Sequence, residues 1–178
     1  MSNSYNMIFA GFGGQGVLFA AKVIAYAGLL EGKEVSWLPS YGPEMRGGTA
    51  NCSVCVSDEP IGSPLVTTPS VLIAMNLPSY EKFIDSVEPN GVVILDSTLI
   101  SKKVSRTDVR AFYVDSTALA TDNGLKGLAN IILIGKLLKE TEFCSDEAIE
   151  KAINKCVPPS KSHLIEANMK AIKLGADS

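Results

Sequence analysis

Glycines at positions 11, 13 and 16 of Gly11-Phe12-Gly13-Gly14-Gln15-Gly16 match the spacing G-x-G-x-x-G. An apolar run, Met7-Ile8-Phe9-Ala10, leads in, and a long apolar stretch from Val17 to Leu30 leads out. Strand, glycine turn, helix is the economical reading. The chemistry on offer is that of bare backbone. Gly11 allows a tight turn off the strand, Gly13 lets a ligand approach the main chain, and Gly16 lets the helix pack close to the sheet. With Gly14 and Gln15 these form the candidate ligand-facing set. The amides at the helix start carry partial positive charge and suit a phosphate or another anion. The same hexapeptide also serves as a βα turn that binds nothing.

A second cluster of contact chemistry lies in Ser40-Tyr41-Gly42-Pro43-Glu44-Met45-Arg46-Gly47-Gly48. Pro43 and the glycines forbid a regular element. The loop begins at the C-terminal end of a second strand, the rim where open α/β sheets bind ligands. The Arg46 guanidinium can clamp a phosphate or carboxylate bidentately, or pair with Glu44 or an acid on a partner. Tyr41, Pro43, Glu44, Met45, Gly47 and Gly48 are candidate partner contacts.

Other reactive residues read as structural. Cys52-x-x-Cys55 resembles a redox or metal motif, but Thr49-Ala50-Asn51-Cys52-Ser53-Val54-Cys55-Val56-Ser57 alternates as a strand. Residues three apart on a strand face opposite ways. Cys52 then points with Val54 and Val56, and Cys55 with Ser53 and Ser57. No second C-x-x-C completes a four-ligand site, so no metal site is expected. Asp96 and Asp115 each follow a strand and precede Ser-Thr; helix or turn capping is favoured over a metal or catalytic pair. His163 reads as a surface or capping side chain.

The elements that must position these residues are strands near 6–10, 34–38, 49–56, 70–75, 92–95 and 111–114, and helices near 15–31, 78–87, 128–138 and 160–174. Gly32 stops the first helix, and Gly175 is expected to stop the last. Ser145 caps a further helix with acids in its first turn. The first helix is apolar almost all round, so either a neighbouring helix or a partner chain must cover the side away from the sheet. Asn130 interrupts an apolar helix and needs buried partners, while Gly135 points to close helix packing. The fold expected is a three-layer α/β/α Rossmann-like domain over 1–178, with a mostly parallel sheet and C-terminal helices.

Composition narrows the function. The chain has 178 residues, a formal net charge of −3 and 46% hydrophobic residues. No basic footprint points to nucleic acid. The longest apolar stretch contains Lys22 and is shorter than the roughly 20 residues a bilayer needs. The polar start lacks a basic n-region, so a cytoplasmic location with reduced cysteines is expected. A dinucleotide-binding domain would place an acid near the end of its second strand. Here that strand ends in Leu38-Pro39-Ser40-Tyr41, which counts against NAD.

Taken in order, the glycine hexapeptide, the loop at 40–48, Ser57-Asp58-Glu59-Pro60-Ile61-Gly62-Ser63-Pro64 and Asn130-Ile131-Ile132-Leu133-Ile134-Gly135 resemble one family. It is the gamma subunit, or gamma domain, of 2-oxoacid:ferredoxin oxidoreductases. One departure is Ser70, where the family often has an acid.

The resemblance implies a complex that oxidatively decarboxylates a 2-oxoacid with coenzyme A, giving acyl-CoA, carbon dioxide and reduced ferredoxin. Thiamine diphosphate with magnesium and [4Fe-4S] clusters are then expected on partner alpha, beta and ferredoxin-like delta subunits, with no cofactor bound by this chain alone. The sequence has no Gly-Asp-Gly thiamine signature and no cysteine run for a cluster. The glycine loop and Arg46 are expected to face CoA or the thiamine site. Among substrates 2-oxoglutarate is favoured, with branched-chain oxoacids, pyruvate and indolepyruvate open. Two alternatives remain: an independent Rossmann-type nucleotide-binding enzyme, and a pure interaction subunit.

Overall fold

The computed structural model describes residues 4–40 and 49–178. Six strands alternate with helices: β1 (Ser4–Phe12), α1 (Val17–Leu30), β2 (Glu34–Ser40), β3 (Thr49–Ser57), β4 (Val71–Ala74), α2 (Leu77–Phe83), β5 (Val92–Asp96) and β6 (Arg110–Val114). Four helices complete the chain: α3 (Ser116–Asp122), α4 (Ala129–Thr141), α5 (Asp146–Cys156) and α6 (Ile165–Ala176). The strands form one sheet in the order β2-β3-β1-β4-β5-β6. β1, β4, β5 and β6 run parallel, and β3 alone is reversed, pairing antiparallel with both β1 and β2.

Register sorts the side chains into two cores. Met7, Cys52, Val54, Val71, Ile73 and Ile94 face α1, α4, α5 and α6. Ile8, Ala10, Cys55, Leu72, Val93 and Leu95 face the other side, where α2 and irregular chain cover them. The second layer is thin because few helical residues lie there. A coil before β6 closes it, held by Arg106, which donates to the carbonyls of Ile84 (2.9 Å) and Val87 (2.7 Å) and pairs with Asp108. Cys52 and Cys55 therefore lie in separate cores, as strand alternation predicts.

The apolar α1 is covered within the chain. It lies between the β1–β3 face and α5, with α4 beside it, and Lys22, Leu29 and Leu30 are its exposed residues. No partner is needed to explain its composition. Ser145 caps α5 by accepting from the Ala148 amide at 3.2 Å. The last helix differs from expectation. Residues 159–164 form a 3-10 segment, α6 begins at Ile165, and Gly175 lies inside α6 instead of ending it. The reason is packing: a Cβ at Gly175 would overlap the carbonyl oxygen of Ile132, and one at Gly135 would overlap that of Ile172. The two glycines let α4 and α6 cross backbone to backbone.

Candidate functional site

The chain leaves β1 through a four-residue turn, Phe12 to Gln15, closed by the Gln15 amide donating to the Phe12 carbonyl at 3.2 Å. Gly14, its third residue, has φ +91°, a conformation that favours glycine. Gly16 follows at φ +73° and begins α1. The division of labour among the glycines differs from the expected one. Gly11 remains in the strand and serves close packing: a Cβ there would sit 2.7 Å from Gln15 Oε1 and 2.9 Å from Val17 Cγ2. Gly14 makes the turn. Gly16 is required both by its φ and by Asn130, whose amide fills the space a Cβ would take.

Two side chains fix this turn from below. Gln15 Oε1 accepts from the Phe12 amide at 2.6 Å, and its Nε2 donates to the Met75 carbonyl at 3.0 Å. Gln15 thereby ties the end of β1 to the end of β4. From α4, 114 residues along the chain, Asn130 Nδ2 donates to the Gly16 carbonyl at 2.9 Å. Sequence reasoning marked Asn130 as a buried amide in need of a partner, but nothing local identifies Gly16 as that partner. Gly13 and Gly14 are exposed, and no heavy atom lies within 4 Å of where a Gly14 Cβ would stand. The start of α1 has no side-chain cap and no acid in its first turn, so among the described residues none of its own first-turn side chains offsets the helix's positive end.

The turn sits where the sheet changes sense. The chain after β1 runs onto one face as α1, and the chain after β4 runs onto the other as α2. Between the carboxyl ends of such strands open α/β sheets hold ligands. A cleft of about 250 Å³ opens here, with Gly14 and Met75 on one side and Thr117, Thr121, Lys126 and Gly127 opposite. The threonine hydroxyls turn inward: Thr117 Oγ1 donates to Asp96 Oδ2 at 2.6 Å, and Thr121 Oγ1 donates to the Thr117 carbonyl at 2.9 Å. Exposed Lys126 is the cation at the mouth.

Arg46 and the candidate partner contacts Tyr41, Pro43, Glu44, Met45, Gly47 and Gly48 lie outside the described residues. Their flanks do not. Thr49 pairs with Phe12 and Ser40 with Asn51, so both ends of that segment are at the rim of the glycine turn.

The remaining candidates have structural surroundings. Asp96 is fully buried and accepts from the Thr98 amide at 3.1 Å as well as from Thr117. Asp115 accepts from Ser97 Oγ at 2.5 Å, and its carboxylate makes no cap on α3. Each aspartate thus ties the β5 and β6 exits together. His163 is exposed in the 3-10 segment. Burial pushes the thiols of Cys52 and Cys144 up to about 12 and that of Cys156 to about 11, and no disulfide forms. With Cys52 and Cys55 in opposite cores, these donors do not fit an iron–sulfur cluster. Among the described residues no three His, Cys, Asp or Glu side chains come together to hold a metal ion, and no helix is long and apolar enough to cross a membrane.

A glycine turn at the switch point of a mostly parallel sheet, with helices on both faces, defines the class as a Rossmann-like α/β domain. Within it, the chain belongs to the pyruvate ferredoxin/flavodoxin oxidoreductase family, which residues 6–178 match. It is 39% identical over 168 residues to the ketoisovalerate oxidoreductase subunit VorA of Methanothermobacter thermautotrophicus, covering 94% of this chain and 35% of VorA. It is 37% identical over 169 residues to the 2-oxoglutarate synthase subunit KorC of Methanocaldococcus jannaschii, covering 93% of this chain and 89% of KorC. The chain thus spans about a third of the VorA length and most of KorC. Among solved structures it is similar to the gamma subunit of a keto/oxoacid ferredoxin oxidoreductase from Geobacter sulfurreducens. The TM-score is 0.82 and the identity 30%, over 97% of this chain and 96% of that one.

Proposed function

We propose that residues 1–178 act as a single gamma-type domain in a cytoplasmic 2-oxoacid:ferredoxin oxidoreductase complex. The overall reaction joins a 2-oxoacid, CoA and two oxidised ferredoxins to give acyl-CoA, carbon dioxide, a proton and two reduced ferredoxins. Thiamine diphosphate with magnesium and the [4Fe-4S] clusters belong on alpha, beta and ferredoxin-like delta companions, and the cofactor chemistry is theirs. This chain supplies shape and contacts on the CoA side. Gly11, Gly13, Gly14, Gln15 and Gly16 form the ligand-facing turn, Arg46 adds a charge, and the rest of the 41–48 segment meets the partners. Relatives are named for ketoisovalerate and for 2-oxoglutarate; among 2-oxoacids, 2-oxoglutarate is the first to test.

The observation that carries this reading is the backbone-first glycine turn at the switch point, beside an uncapped helix start and Lys126. That arrangement suits the phosphates of CoA better than it suits a ribose, because β2 ends in Leu38-Pro39-Ser40 without an acid placed to hold ribose hydroxyls. The test is Arg46→Ala in the assembled complex. The Michaelis constant for CoA is expected to rise about tenfold, the effect of losing roughly 1.4 kcal/mol of contact. Unchanged assembly together with an unchanged constant would remove Arg46 from the site.

A further inference from the structure

We infer that Asn130 is a positioning residue for the glycine turn, holding its exposed backbone in the conformation the ligand meets. The inference rests on the reading of that turn as the CoA-side contact.

Asn130 is placed where stability alone would not put it. Its neighbours Ile131, Ile132, Leu133 and Ile134 are all fully buried. Instead a polar amide is 4% exposed, and only one of its ends is satisfied among the described residues: Nδ2 reaches the Gly16 carbonyl at 2.9 Å, while Oδ1 has no partner among them. A half-satisfied buried amide opposes folding. A local choice that works against the core is expected where function needs it.

Its contact is to one atom of the turn, and that atom is well chosen. Gly16 is the left-handed residue that starts α1 and already accepts from the Ala20 amide through the same carbonyl. Fixing that carbonyl fixes the plane of the Gly16–Val17 peptide, from which α1 starts. Most helices would use a Ser, Thr, Asp or Asn at this position to cap the first turn. Such a side chain would occupy the space in front of the helix amides. Asn130 grips the turn from the core side instead, and Gln15 does the same from Met75. The two amides hold the turn from the core side, and Gly13 and Gly14 stay exposed among the described residues.

The experiment is steady-state kinetics on the assembled complex with Asn130→Leu, which keeps the branching of the side chain and has no donor, and with Gly13→Val on the exposed side of the turn. Asn130→Leu is expected to raise the Michaelis constant for CoA fivefold to tenfold while kcat and the constant for the 2-oxoacid stay within about twofold, in line with the loss of one hydrogen bond. Gly13→Val should raise the same constant by blocking the turn directly. If Gly13→Val raises it and Asn130→Leu does not, the positioning role is wrong and the CoA reading stands. If neither raises it, the CoA reading itself fails. A complex that does not assemble with leucine is replaced by Asn130→Ser, whose short hydroxyl can bond its own helix but not reach Gly16. The same split in constants is expected there, and its absence overturns the role.

Discussion

At the scale of single residues, side chains far apart in sequence hold the turn and the helix ends. Gln15 and Asn130 each reach across the C-terminal rim, and Glu31, at the end of α1, reaches the start of α5. Ser145 donates to Glu31 Oε1 from both its amide (2.7 Å) and its hydroxyl (2.6 Å). Those two bonds hold the Glu31 carboxyl below its ordinary value of 4.5. A group lowered in the folded state contributes stability above its unfolded value and loses it as pH falls through the folded one. Melting temperatures of the chain and of Glu31→Gln should therefore differ most near pH 7 and converge below about 4.5. A difference that widens on acidification would contradict the assignment. The glycine spacing was legible from the sequence because four glycines in six residues have few other uses. The role of each was not. Which glycine turns and which is crowded depends on Met75, Val17 and Asn130, and only the folded chain brings them together.

At the scale of elements, the alternation of Cys52 and Cys55 across β3 was readable because strand periodicity is local. Two other features were not. The apolar girth of α1 pointed equally to a neighbouring helix or to a partner, and α5 and α4 cover it. Gly175 looked like a helix stop because glycine often ends helices. It instead faces α4, a long-range fact that spacing within α6 does not encode. The crossing of α4 and α6 should be the most sensitive helix contact in the chain. Gly135→Ala forces a methyl into backbone and should cost about 1–3 kcal/mol. For a chain of this size that lowers the melting temperature by roughly 2–12 °C. Gly62→Ala, with open space around it and no positive φ, serves as the control and should stay within about 1 °C. Equal shifts in the two variants would show that the crossing has slack.

At the scale of the whole molecule, the α/β class and the position of the turn follow from the alternation of strands and helices, and the order of strands in the sheet does not. The thin second layer and the reversed β3 do not, because strand direction is set by connections that composition does not record. The central claim is that this chain supplies shape and contacts to a complex whose cofactors lie elsewhere. The most direct measurement is co-expression with the thiamine-binding and cluster-binding subunits, followed by an assay of CoA-dependent ferredoxin reduction by 2-oxoacids with and without this chain. The account predicts that the chain co-purifies with those subunits and that omitting it abolishes turnover. It is contradicted if the chain purifies alone as a monomer that turns over an oxidised nicotinamide or flavin unaided, or if the complex is fully active without it.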